Sequence, residues 1–387
     1  MSTVTSLRQP EVRSLDDDVL VHLRETFSVR APHYDATTTF PHENFAELGK
    51  LGLLALVVPR SLGGRGAGLS ETSRLIHAVA GGDASTALLL AMHSLMHAIL
   101  RDRNPPIYET VARAAVEGGG LLNALRAEPE LGSVNRGGSL ATTVTPLKDG
   151  GWRINGRKSY ATGSPIVSWW LLYARTDEPK SRIGSWLLPA RAQGVTYRPT
   201  WNHLGMRATA SNETHIVDVD VPADHLLNLT DATEIAAPPA ILNSWNGILL
   251  AALYDGIANA ARDWARRFLL DRKPSNLGAP LATVPRLQSV LGEIESLLLI
   301  NRTLIRDTAH DIDTNGADAS PRPNLVKQIV TENAIRVVDL ALSISGNHGL
   351  DRANPLERYH RDVLCGRVHA PQGDSIFTSA GRASLGV

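Results

Sequence analysis

Three textures of apolar and polar positions follow one another along the chain. From about Asp16 to Glu117 the apolar residues recur with a helical period. Asp16–Ser28 opens with three aspartates, which suit a helix N-terminus through capping and the macrodipole. Glu43–Leu54 places Phe45, Leu48 and Leu51 on one face, and the glycines of LGGRGAGLS mark a tight loop before a helix that begins near Ser70. Ser85–Leu100 is apolar nearly all round, which predicts a helix buried on several sides. It carries His93 and His97 one turn apart. That spacing can seat a metal, but no third ligand accompanies it, so the expectation is a buried, hydrogen-bonded pair or a pocket wall.

From Leu140 to Pro222 alternation replaces the helical period, as in TTVTPL, WWLLYART and THIVDVDV, with Asp149-Gly150 and Asn155-Gly156 as hairpin signals. Short strands at this spacing predict an antiparallel barrel or sandwich of about 100 residues. After the linker Asp231–Pro239 the helical period returns in Ile241–Leu270, Leu287–His310 and Asn324–Ser345. With a C-terminal helical segment these predict a four-helix bundle, and the small residues around Gly256 predict close helix approach. The expected architecture is mainly α with a central β domain: residues 1–119 helical, 120–232 a β-barrel, 233–387 a helical bundle.

Composition changes this picture little. A chain of 387 residues is too long for one ordinary core, and a formal net charge of +0 gives no electrostatic footprint for nucleic acid. No apolar run approaches the roughly 18 residues needed to span a bilayer. The polar N-terminus does not read as a signal peptide, and the single cysteine, Cys365, fits a reducing compartment as a small apolar residue. A cytoplasmic protein without nucleic-acid or membrane partners is expected.

The chemistry concentrates in the tail. Arg361–Gly381, RDVLCGRVHAPQGDSIFTSAG, gathers a charged pair, the cysteine, His369 and Asp374 where a core needs none of them, and is read as a segment that closes an active site. Several separate stretches then make the chain resemble the acyl-CoA dehydrogenase superfamily. They are GLLALVVPRSLGGRGAGLS in the N-terminal helices, EPELGS at Glu128–Ser133, NGRK with Tyr160-Ala161-Thr162, LGMRAT at Leu204–Thr209, Arg272 ending the first bundle helix, and SGNHG at Ser345–Gly349 with Arg361-Asp362.

The resemblance implies a flavin between the β domain and the bundle. Ser133 would meet the cofactor or its phosphate, Thr162 would hydrogen-bond near the reactive flavin nitrogen, and Tyr160 would replace the family's tryptophan as aromatic wall. Ala127 replaces a family threonine. Arg272 would reach the dinucleotide phosphates of a flavin in a neighbouring subunit, with Gly346 and Asn347 at the same edge, which implies a homodimer or homotetramer. The aromatic residue that usually follows the arginine is absent, so FMN stands beside FAD as the expected cofactor.

Removal of an α-proton from an acyl thioester needs a carboxylate. The family places its glutamate nine positions after the arginine of the Arg-Asp pair, here Ala370, or ten before a bundle glycine, here Asn246. Neither is a base. Three readings follow. The base is relocated to His369, Asp374 or Asp255. Or the reaction is oxygen-dependent, as the resemblance to the flavin monooxygenase branch (dibenzothiophene monooxygenase among them) implies, with a flavin hydroperoxide transferring oxygen and His369 and His93 serving it. Or the chain binds a partner without catalysis. The oxygen-dependent reading is preferred, on a small molecule or acyl thioester, with a flavin reductase or electron-transfer partner. Met92, Met96, Trp245 and Asn246 are expected to line the pocket.

Overall fold

The helical texture up to Glu117 ends in a helix, while strands begin at Leu121, ahead of the alternating stretch Leu140–Pro222, and continue to Asp231 beyond it. The computed structural model describes residues 15–131, 139–148, 150–231 and 239–387. Five helices come first: α1 (Asp17–Thr37), α2 (His42–Lys50), α3 (Leu69–Gly82), α4 (Ala84–Arg103) and α5 (Tyr108–Val116). Asp16 caps α1 by accepting from the Val19 amide at 3.0 Å, and Asp83 caps α4 through Thr86. α4 is buried from Ala84 to Leu100 save for Met92, as its apolar circumference requires.

The strands β1 (Leu121–Leu125), β2 (Thr143–Pro146), β3 (Trp152–Ala161), β4 (Val167–Thr176), β5 (Arg182–Pro189), β6 (Val195–Arg198), β7 (Asn212–Val221) and β8 (Leu226–Asp231) form one eight-stranded sheet in the order β6-β7-β3-β2-β4-β5-β8, with β1 on β4. Two details differ from the sequence reading. The sheet is mixed, because β1 and β2 both run parallel to β4. Asn155-Gly156 is not a hairpin turn: β3 runs straight through it, and the register against β7 shifts there instead. Glycine is required at that shift because a Cβ would lie 2.6 Å from the Thr142 hydroxyl.

The C-terminal half contains α6 (Ala240–Asp271), α7 (Pro285–Asn315), α8 (Arg322–Ser345), α9 (Asn347–Leu350), α10 (Leu356–Val363) and α11 (Gly373–Leu385). α6 is the central helix, packed on α3, α4, α7 and α8. Gly256 permits this: a Cβ there would sit 2.3 Å from the His77 carbonyl of α3.

Arg361 and Asp362 fasten the three regions together. The Arg361 guanidinium grips both Asp35 oxygens of α1 at 2.9 and 2.6 Å and both Glu357 oxygens at 2.8 and 2.9 Å, and it donates to the Leu204 carbonyl. Asp362 is buried and accepts the Met206 amide at 2.7 Å. Gly205 lies against the Arg361 backbone with no space for a side chain. Burial pushes the Asp362 carboxyl up to about 7, against the Met206 amide and the nearby Arg358 charge. The folded chain therefore holds a proton that the unfolded chain, with a carboxyl near 3.9, has released between about pH 4 and 7. That contribution to stability is complete below pH 4 and lost as the pH rises through 7. Asp362→Asn, which cannot ionise, is expected to flatten the thermal-melt profile across this window; a profile parallel to the wild type's would contradict it.

Candidate active site

Side chains from two bundle helices meet the tail between α10 and α11. From α6, Asn246 donates its amide to the Ala370 carbonyl at 3.0 Å. The two positions where a family base would stand are thus joined to each other, side chain to backbone, with no carboxylate at either. One helical stretch further along α6, the Tyr254 hydroxyl lies 2.5 Å from His369 Nδ1. Burial pushes the Tyr254 hydroxyl well above its ordinary range, so it stays protonated, and with no other hydrogen-bond partner among the described residues it donates its proton to the ring. Nδ1 therefore accepts, and the ring proton belongs on Nε2. Burial, with the Lys327 charge nearby, pushes the His369 imidazole down to about 4. At neutral pH His369 is an uncharged ring with one N–H donor.

The candidate relocated carboxylates are engaged elsewhere. Asp255 is buried and takes hydrogen bonds from Asn301 and Asn259, each at 3.0 Å, with His77 Nε2 at 3.2 Å. Asp374 is exposed at the start of α11 and accepts the Ser375 amide. Cys365 is half-buried, and its thiol is pushed up to about 12 by burial and by Asp362. It is no thiolate nucleophile.

His93 also needs correcting as a catalytic candidate. It is buried, its Nε2 lies 2.8 Å from the Leu54 carbonyl, and its Nδ1 accepts the Leu122 amide at 3.0 Å. Burial holds its ring at about 4. Both nitrogens are spent on bracing α4 between the Leu54 loop and β1, so neither is left for a reacting group. Met96 and Trp245 are core residues; Met92 is partly exposed.

On the β side, Thr162 at the end of β3 joins Ser211 and Thr209 in a chain of hydroxyls, each link 2.8 Å. Asn123 of β1 fixes the Thr162 carbonyl at 2.9 Å. Tyr160 has φ of 59° and is 56% exposed, its ring edge-on to Trp201 and His203. An aromatic ring is held in the open beside polar hydroxyls. Ser133 lies outside the described residues. Beneath this edge, Glu128 and Lys158 form a fully buried ion pair at 2.8 Å, and Glu128 also accepts the Ala141 and Thr142 amides. Burial opposes the Glu128 charge, but Lys158 and these amides outweigh it and hold the carboxyl below its ordinary range.

Arg272 caps α6 and shares a cleft of about 390 Å³ with Trp264, Phe268 and His348. Gly346 and Asn347 are exposed at the turn from α8 to α9, just before His348. The fold thus brings Arg272 to the SGNHG corner despite their separation in sequence. Trp264 and Phe268 stack at 5.2 Å, and the Arg272 guanidinium has no side-chain hydrogen bond or ion pair among the described residues. An unpaired guanidinium beside stacked rings suits a phosphate and an aromatic base. The hydroxyl chain and exposed ring of the β edge suit a flavin ring, which Thr162 and Tyr160 would hold, while Arg272 at the SGNHG corner would meet a phosphate.

Sequence reasoning missed Tyr254, Ser211 and Lys327. Only the last left a signal, a lysine on the apolar stripe of α8 that runs through Val330 and Ala334.

Comparison with known proteins gives matches along most of the chain. Family models for the acyl-CoA dehydrogenase N-terminal, middle and C-terminal domains match residues 9–105, 125–219 and 245–371. The acyl-CoA dehydrogenase-type protein YdbM of Bacillus subtilis (strain 168) is 33% identical over 364 residues, 92% of each chain. L-evernosamine nitrososynthase of Micromonospora sp. is 29% identical, covering 95% of this chain and 89% of the relative. The structure of KijD3 with FMN and dTDP-3-amino-2,3,6-trideoxy-4-keto-3-methyl-D-glucose superposes with a TM-score of 0.84 at 27% identity, covering 95% of this chain and 92% of the other. No helix among the described residues is long and apolar enough to cross a membrane. The chain belongs to the acyl-CoA dehydrogenase family of flavin-dependent oxidoreductases.

Proposed function

We propose that this protein carries out oxygen-dependent flavin chemistry on a small molecule or acyl thioester. The observation that carries the reading is the Asn246–Ala370 hydrogen bond, which occupies both base positions with groups that cannot take an α-proton. Asp255 is enclosed in its own polar network and Asp374 is exposed, so neither offers a substitute. A reduced flavin, when bound, would supply the electrons that activate oxygen. The chain's own contribution is to hold and surround it. Thr162 and its hydroxyl partners offer hydrogen bonds at the β edge, Tyr160 offers a ring face, and Arg272 offers a contact to the phosphate end of a neighbouring subunit's FAD or FMN. His369, uncharged, offers an Nε2–H donor that can hydrogen-bond an oxygen atom without bringing a net charge into the site. The likeness to a nitrososynthase and to KijD3 with FMN supports the same reading. A homo-oligomer, a reductase that supplies reduced flavin and a cytoplasmic location complete the proposal.

Acyl-thioester dehydrogenation, the competing reading, is supported by the identity with YdbM. An anaerobic titration of the flavin-loaded protein with a panel of acyl-CoA thioesters separates the two. The flavin is expected to stay oxidised, and product to form only with oxygen. Ala370→Glu tests the same point: it restores a carboxylate at the family position, yet is expected to raise anaerobic flavin reduction by less than about tenfold, because Asn246 and the loop backbone still fill the surrounding space. Bleaching of the wild-type flavin by any thioester without oxygen would overturn the proposal.

A further inference from the structure

Lys327 is a buried charge that the proposed chemistry leaves unused. It lies on the buried face of α8 with no exposed surface, where an ammonium is costly unless its hydrogens are satisfied. No carboxylate pairs with it among the described residues; Glu332, the nearest acidic influence, is held by Arg367 at 3.1 and 2.7 Å. Its three donors go instead to three carbonyls of the tail: Gly366 at 3.1 Å, His369 at 2.7 Å and Pro371 at 3.0 Å. The carbonyl between the last two, that of Ala370, is taken by Asn246. Three consecutive carbonyls, from His369 to Pro371, are therefore each held by a side chain from the bundle. Gly366 completes the seat, since a Cβ there would lie 2.5 Å from the Thr331 methyl.

Backbone and ring of His369 are thus fixed by different groups. Tyr254 orients the imidazole, but it can do so only if the backbone carrying the ring stays where it is.

We propose that Lys327 is a positioning residue whose ammonium holds the tail backbone so that Tyr254 locks His369 in the Nε2–H form. The inference rests on the oxygen-dependent reading only for what that N–H serves; the positioning is independent of it. A neutral amine would have two donors for three carbonyls and would turn its lone pair toward one of them. Burial already draws the Lys327 ammonium down to about 8.

The test is histidine-selective nitrogen NMR on the flavin-loaded full chain, with His369 assigned by its loss in His369→Ala. His93, whose Nδ1 also accepts an amide, is the internal control. In the wild type both rings are expected to show a bare Nδ1 and an Nε2–H between pH 5 and 8. In Lys327→Met the His369 signals should become a mixture of tautomers and its midpoint should rise from about 4 toward the ordinary 6.5, with His93 unmoved. Lys327→Arg should restore the wild-type pattern in part. If His93 moves as well, the fold has been damaged, and Lys327→Gln, which keeps two N–H donors, is read instead with the same expectation. His369 signals that superpose on the wild type's in the variant that keeps its fold would overturn the proposal. Oxygen uptake by the reduced protein is followed in parallel: shifted His369 signals with an unchanged reaction would leave the positioning intact and count against the oxygen-dependent reading.

Discussion

Lys158→Met is expected to destabilise the protein by about 3–5 kcal/mol, the cost of leaving one partner of a buried ion pair uncompensated. Lys158 and Glu128 have essentially no exposed surface, so solvent screening does not soften the loss. The carboxylate left behind would keep the Ala141 and Thr142 amides but lose its cation, and would have to take up a proton or admit water. The first cooperative melting transition should fall by on the order of 10 °C. Adding Glu128→Gln should recover a large part, because the glutamine carbonyl still accepts an amide while the stranded charge is gone. The pair also sets an acid limit. The Glu128 carboxyl is below its ordinary range in the folded chain, so its contribution is present above about pH 4.3 and is lost as the pH falls through the folded value. A Lys158→Met protein that melts with the wild type would show that the pair contributes nothing net.

His369→Ala should lower oxygenated product by about a hundredfold or more, the usual scale for a positioned acid–base or hydrogen-bonding side chain, while flavin affinity changes by less than about twofold. Substrate for the assay comes from an oxygen-uptake screen of amines, sulfides and thioesters. Because the ring is held near 4, the wild-type rate should show no ionisation from this residue between pH 5 and 8. A limb near 6.5 that disappears in His369→Ala would contradict the tautomer argument. Tyr254→Phe removes the donor that fixes the ring and should lower product without bringing such a limb into view, because burial and Lys327 still hold the ring down.

What could be read from sequence followed from how local the cause is. Periodicity located the helices and strands because burial on one face is a local property, and the motifs around Thr162, Arg272 and Arg361 stand where backbone geometry demands particular residues. Parallel pairing of β1 and β2 with β4 was hidden, since alternation reports which face is buried and not which way a neighbour runs. Asn155-Gly156 misled for a related reason: the same dipeptide serves a turn and a register shift. His93 looked chemical only while its partners were unseen; the Leu54 carbonyl and Leu122 amide come from distant backbone that no side-chain pattern announces. Tyr254 and Lys327 were passed over because long-range hydrogen bonds to a loop leave little trace in helical sequence. The absence of a carboxylate at Asn246 and Ala370 was legible from the start, and the fold adds that these two positions fill each other's space.

Oxygenation and dehydrogenation differ in how the reduced protein meets oxygen. The most direct measurement is stopped-flow absorbance of the flavin-loaded protein, reduced anaerobically and then mixed with oxygenated buffer. Oxygen-dependent chemistry predicts return of the oxidised spectrum in two resolved phases, the second slow and accelerated in His369→Ala. Return in one rapid phase that is the same in His369→Ala would contradict it.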